Sequence, residues 1–173
     1  GSSIAEAILP HVRRIQRPAG SELLLVCAMS ADDASMEESR ARLEEVERGL
    51  AKDGARVRSF IRVGRAAETI LDVAQAEHAS LIAMTTHGRT GLPRWIFGSV
   101  TEKVLRASPV PVWVVRSFGA GAKGESAIRK ILVPLDGSAF SAAVLPSVKP
   151  LAQLFQSHVT LFHVIDDGET AVG

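Results

Sequence analysis

The chain has 173 residues, of which 46% are apolar, and its 20 Lys and Arg nearly cancel its 19 Asp and Glu to leave a formal charge of +1. That length suits one good domain, or a domain and a piece of another. The near-neutral balance and scattered basic residues point away from nucleic acid and from an anionic membrane surface. One cysteine, Cys27, excludes an intrachain disulfide, no apolar run is long enough to span a bilayer, and the start carries no basic-then-apolar leader, so a cytoplasmic location is expected.

Ile4, Ile8, Val12 and Ile15 recur at helical spacing, which predicts a helix over 4–16. "ELLLVCAM" (22–29) is a short continuous apolar run, the mark of a strand buried on both faces. A charged helix follows over 34–52, with Leu43, Val46 and Leu50 on one face and Glu38–Arg42 and Glu44–Arg48 spaced to pair on the wet side. "ARVRSFIRV" (55–63) carries Arg56, Arg58 and Arg62 in one phase, which suggests an edge strand. A helix over 66–78, a buried strand over 80–85, a helix over 92–106 and a strand over 111–116 complete the alternation. The pattern argues for an α/β fold, an open and mostly parallel sheet covered by helices.

The small, Gly-rich stretch 117–128 then reads as a linker. Beyond it come a strand (129–135), a helix (138–153) and a strand (158–165). A repeat organises these parts. "GSSIAEAILPHV" from Gly1 aligns with "GSAFSAAVLPSV" from Gly137 without a gap, at an offset of 136, so Pro10 falls opposite Pro146 and Leu25 opposite Leu161. The chain therefore reads as two copies of one unit: 1–116, without the strand that should precede its opening helix, and 129–173, which stops after its second strand. The missing strand leaves a gap beside the inner strands, and "RKILVPL" is one candidate to fill it.

The stretch that carries chemistry runs from Thr85 to Thr101. Ligands of open parallel sheets sit beyond the carboxyl ends of strands. Gly88 permits a tight turn, and a following helix N-terminus offers backbone N–H groups to a phosphate. Ser99 and Thr101 add hydroxyls, and Arg89 and Arg94 add positive charge. Gly88 and Gly91 also fit plain turn glycines. His87 has no second ligand at metal spacing, and Ser99 has no neighbouring His/Asp partners for a hydrolase triad. Asp136, at the end of strand 129–135, fits either the binding of ribose, adenine or Mg²⁺ or the capping of the next helix. Trp95 and Trp113 read as packing residues.

Thr85, Gly88, Gly98 and Ser99, with nine residues between Gly88 and Gly98, resemble the nucleotide-loop signature of the universal stress protein family, which is Gly, two residues, Gly, nine residues, Gly, then Ser or Thr. "VTEKVLRASPVPVWVVR" and "ILVPLDGS" are similar to the family's last helix and strand and to its first strand. The resemblance implies five parallel strands in the order 3-2-1-4-5 with helices on both faces. It also implies ATP, possibly with Mg²⁺, bound by Ala28, Thr85, His87, Gly88, Arg89, Gly98, Ser99 and Val100, with Asp136 as the acidic strand end of the second copy. Thr85 departs from the signature, which has glycine there.

Three readings follow. The first is an ATP-binding regulatory module with little or no hydrolysis, since no general base stands out. The second is a nucleotide-independent interaction module. The third, a nucleotidyl-transferase-like enzyme, needs a His-x-Gly-His motif, which the sequence lacks. A homodimer or an intramolecular pairing of domains is expected, with no nucleic acid and no membrane partner.

Overall fold

The computed structural model describes residues 3–30, 36–86, 98–116 and 128–163. The chain divides into two units, Gly1–Gly124 and Glu125–Gly173. In the first unit the elements are α1 (Ser3–Glu6), α2 (Leu9–Ala19), β1 (Glu22–Met29), α3 (Met36–Lys52), β2 (Arg56–Val63), α4 (Ala66–Ala76), β3 (Ile82–Thr86), α5 (Ser99–Ala107) and β4 (Val112–Arg116). In the second they are β5 (Lys130–Leu135), α6 (Ala139–Ala142), α7 (Leu145–Phe155) and β6 (His158–His163).

Every ladder is parallel. β1 pairs with β2 from Glu22 opposite Arg56 to Met29 opposite Val63, β3 with β4 from Ile82 opposite Val112 to Thr86 opposite Arg116, and β5 with β6 from Lys130 opposite His158 to Leu135 opposite His163. The fold is therefore α/β with parallel strands. Among the described residues these are three separate two-stranded sheets, and they do not by themselves draw a five-strand order. Within the second unit β5 is hydrogen-bonded to β6.

The predicted helix over 4–16 is broken at Ala7–Ile8 into α1 and α2, and the predicted helix over 138–153 is broken at Ala143–Val144 into α6 and α7. The cause is Pro10 and Pro146, which lack an N–H and whose rings crowd the carbonyl four residues back. Each proline sits in the first turn of the second helix, where its missing donor costs least. The two breaks share one hydrogen-bond pattern. Ile8 N–H reaches Ala5 C=O at 3.4 Å and His11 N–H reaches Ile8 C=O at 3.0 Å; 136 residues on, Val144 N–H reaches Ser141 C=O at 3.4 Å and Ser147 N–H reaches Val144 C=O at 3.0 Å. The helix ends match too. Ser21 N–H closes on Gln16 C=O around Gly20 (φ +61°), and Ser157 N–H closes on Ala152 C=O around Gln156 (φ +51°). α3 and α4 stop by the same left-handed turn, at Gly54 and at His78.

In the first unit α3 packs on β1 and β2, while α4 packs on β1 and on α5, and α5 packs on β3. β1 is half-buried or buried throughout Leu23–Met29, with no alternation, and both α3 and α4 pack on it. The central cluster is Ala67, Ala74, Ile82 and Val104, with Ile70, Leu71, Met84, Val100 and Val112 packed around it. Ion pairs tie the helices together. Arg42 of α3 forms a fork with Glu6 of α1 at 2.6 Å and with Glu45 at 2.6 Å, and Arg13 of α2 meets Asp53 at 3.0 Å. Arg42 therefore reaches another helix rather than the expected Glu38, and Arg48 donates to the Glu44 carbonyl rather than to its carboxylate. The hydrogen bonds that the Arg42 guanidinium donates to Glu6 and then to Glu45 hold it above its already high ordinary pKa. On β2, Arg56, Arg58 and Arg62 are exposed, and Arg58 pairs with both Glu22 and Glu77.

Candidate functional site

The site expected from the sequence lies where β3 ends and α5 begins. Thr85 is the penultimate residue of β3, opposite Val115 on β4, and is buried at 5% exposure. Ala28 is the penultimate residue of β1, opposite Arg62 and beside buried Met29. His87, Gly88 and Arg89 lie outside the described residues, as do Gly91, Arg94 and Trp95 and the part of the predicted helix before Gly98.

Gly98 is the N-cap of α5, with φ −59° and ψ 153°, and its carbonyl accepts the Glu102 N–H at 3.0 Å. No side chain caps this end. The glycine is not there for a left-handed turn; what it offers is a cap without a Cβ. The first N–H groups of any helix have no partner inside the helix, and together they present partial positive charge. Ser99 is exposed and Val100 is packed against the core cluster, and α5 lies against β3.

Thr101 adds an observation that sequence reading treated too lightly. It is fully buried at 0% exposure and its Oγ1 has no hydrogen-bond partner. A buried hydroxyl without a partner is uncommon and costs about 1–3 kcal/mol of desolvation. The signal available in the sequence was spacing, since Thr101 and Val104 are three apart and share the buried face of α5.

Asp136 belongs to the second unit. Its carboxylate accepts the Ser138 N–H at 2.9 Å, and its own N–H donates to Ser141 Oγ at 3.3 Å. Ser138 caps α6 by accepting the Ser141 N–H at 3.0 Å. Hydrogen bonding from Ser138, then from Ser141, holds the Asp136 carboxyl well below the usual carboxylate range. Beside it Gly137 adopts φ +82°, and His163 Nδ1 lies 2.8 Å from the Leu135 carbonyl oxygen. In this structure Asp136 shapes the turn that leads into α6, and the helix cap itself is Ser138.

Elsewhere, Trp113 of β4 takes the edge of His11 from α2 at 6.1 Å and 76°, a packing role. Burial, then the Arg14 charge, lowers the His11 pKa, and its buried Nε2 is unpartnered. Among the described residues no group of three or more His, Cys, Asp or Glu is placed to hold a metal ion, and no helix is long and apolar enough to cross a membrane.

Residues 4–116 match the family model described as the universal stress protein family. The chain is 38% identical over 80 residues to universal stress protein MJ0577 of Methanocaldococcus jannaschii, a match that covers 46% of this chain and 49% of that protein. The chain thus spans about half the length of the curated relatives it matches. Among solved structures, a universal stress protein of Archaeoglobus fulgidus superposes with a TM-score of 0.72 at 23% identity, over 97% of this chain and 65% of that one. The solved MJ0577 gives 0.56 at 25% identity, over 69% of this chain and 94% of that one. Universal stress proteins solved in complex with cAMP and, from A. fulgidus, with dAMP give 0.54 each at 19% and 22% identity and share the fold. The matched stretch takes in α1 to β4, the uncapped glycine start of α5 included, and the chain belongs to the universal stress protein family.

Proposed function

We propose that the first unit is an adenine-nucleotide-binding regulatory module whose ligand is ATP, with Mg²⁺ arriving on the nucleotide. The observation that carries this reading is the start of α5: Gly98 as an N-cap with no side chain and no capping bond, followed by Ser99. Such an end suits phosphate, because N–H groups and the helix dipole act on it together. The solved relatives that hold cAMP and dAMP support an adenine nucleotide in this fold. In this reading Thr85, His87, Gly88, Arg89, Gly98, Ser99 and Val100 surround the phosphates and ribose, and Ala28 lies near the adenine. The sheet takes the order 3-2-1-4-5, and Asp136 is the corresponding acid of the second copy. Nucleotide occupancy then biases conformation or partner choice, with the chain acting as a dimer or through pairing of its domains. Hydrolysis is slow at most, since the described residues place no base against the α5 start.

A second reading, a nucleotide-independent interaction module, is favoured by one residue. Thr85 is buried where the signature has glycine, so a side chain narrows the approach of phosphate to backbone. One experiment separates the two. Denaturing the purified protein and chromatographing the supernatant gives near-stoichiometric adenine nucleotide on the first reading. No released nucleotide, with no thermal shift on adding ATP and Mg²⁺, supports the second.

A further inference from the structure

We infer that the face of β2 formed by Arg56, Arg58, Phe60 and Arg62 docks an extended acidic segment of a partner protein. The observations that carry this stand apart from the nucleotide reading.

The four residues alternate along β2 and so share one side of the strand. The other side belongs to α3, which packs on β2 and whose Glu47 accepts the Ser59 hydroxyl. On the arginine side the row lies in register with Leu24, Val26 and Ala28 of β1. All three arginines are exposed and Phe60 is half-buried.

The charges of this row are unevenly matched. Two carboxylates reach it, and both go to Arg58, Glu22 at 3.0 Å and Glu77 at 2.6 Å. Arg56 donates to the Gly20 carbonyl oxygen, and Arg62 to the Ile61 carbonyl oxygen at 3.3 Å. A backbone carbonyl satisfies a donor and leaves its positive charge uncompensated. The guanidinium carbons of Arg58 and Arg62 lie 5.5 Å and 5.8 Å from the centroid of the Phe60 ring, within cation–π range. The ring restrains Arg62 without neutralising it, so less side-chain freedom is lost when an anion arrives. A merely solvated row of arginines has no such restraint.

Spacing and charge select the occupant. Arg56 and Arg62 stand six residues apart, about 20 Å along a strand, so a small anion reaches one of them and an extended peptide of seven residues reaches both. Glu22 and Glu77 sit at Arg58, between the two uncompensated cations, and repel an evenly charged phosphate backbone. Guanidinium groups already lie over Phe60, so the ring is not an open platform for a nucleobase. A second copy docked through the same face would set arginine against arginine. A peptide with carboxylates at both ends and neutral residues between them meets each of these conditions.

The test titrates the full chain with the peptide Glu-Glu-Ser-Ala-Ser-Glu-Glu and follows, by NMR, the backbone amides of 56–62 and the arginine Nε–H groups. Saturable shifts across 56–62 are expected, including the Nε–H groups of Arg56 and Arg62, with affinity falling as salt rises. A chain carrying Arg56→Gln and Arg62→Gln is expected to bind roughly fivefold more weakly, the size of two exposed charge pairs. Saturating Mg·ATP should leave the peptide in place. The first titration needs no substitution, so misfolding of the variant does not hide the result. The inference is overturned if the peptide moves none of these signals, if a peptide with lysine in place of glutamate moves them equally, or if the substituted chain binds as well. It is also overturned if an oligothymidylate of eight residues binds as tightly, because the face is then a general polyanion surface, or if Mg·ATP displaces the peptide, because Arg62 then belongs to the nucleotide.

Discussion

Two stretches of this chain, α1–α2–β1 and α6–α7–β6, are built alike and buried differently. Both break their helix two residues before a proline and end it on a left-handed residue with a closing bond to the carbonyl five residues back. Yet Ile8 is 8% exposed and its counterpart Val144 is 44% exposed, and Leu25 is half-buried where Leu161 is open. Local sequence dictates the elements, because proline sterics and helix capping act over a few residues. Burial depends on what else the unit supplies. The first unit brings α3, α4, α5 and three more strands, while the second brings β5.

If that comparison is right, paired substitutions should separate the two stretches. The largest effect is expected at Ile8→Ala, which removes buried methylenes and should cost about 2–4 kcal/mol, against about 0.5 kcal/mol or less for Val144→Ala on the surface. Denaturant unfolding, with hydrogen exchange to assign the affected unit, checks both; equal costs would break the comparison. Next come the helix ends, where the sign should reverse. Gly20→Ala places a Cβ at φ +61° and is expected to destabilise by about 1 kcal/mol, whereas Gln156→Gly at φ +51° should stabilise by a similar amount. The same sign at both would mean that the two ends are not equivalent.

The third contrast is pH. His11 stands opposite Ser147 in the repeat and is neutral-favouring, because burial and then Arg14 lower its pKa. The unfolded chain therefore binds a proton that the folded chain resists. Stability contributed by neutral His11 is intact above the unfolded value of about 6.5 and declines as pH falls through it toward the lowered folded value. Unfolding midpoints measured between pH 7.5 and 5 should fall, and His11→Ser should flatten that slope. Asp136 has the same direction at lower pH. Its depressed carboxyl contributes stability above its ordinary range and loses it on acidification, without a step near neutrality. The smallest effect is at Glu6, whose counterpart is Ala142. The Glu6–Arg42 pair is a surface pair, so Glu6→Ala should barely move the unfolding midpoint, and less still at high salt.

Much of this was legible before the structure. "ELLLVCAM" marks β1 to the residue, and the arginine phase of β2 marks its exposed face, because periodicity reports which faces are covered. Helix ends were less legible. The predicted helix 66–78 stops at Ala76, with His78 adopting φ +52°, a conformation that histidine rarely advertises. Pro10 and Pro146 were seen as a matching pair but not as breaks. The three ladder pairings, β1 with β2, β3 with β4 and β5 with β6, join strands that the order implied by the resemblance places side by side. At the candidate site, Gly98–Ser99 was readable because a helix start is a local feature. The orphaned Thr101 hydroxyl was not, since its burial comes from the packing of α5 against α4 and β3.

The central claim, a nucleotide at the start of α5, is tested most directly by following the backbone amides of Ser99, Val100 and Thr101 by NMR while Mg·ATP is added. Saturable shifts at these three amides, together with slowed exchange of the Thr101 hydroxyl or amide, are the result this account predicts. Amides that stay fixed through millimolar Mg·ATP would contradict it and leave the α5 start as a helix end with a purely structural role.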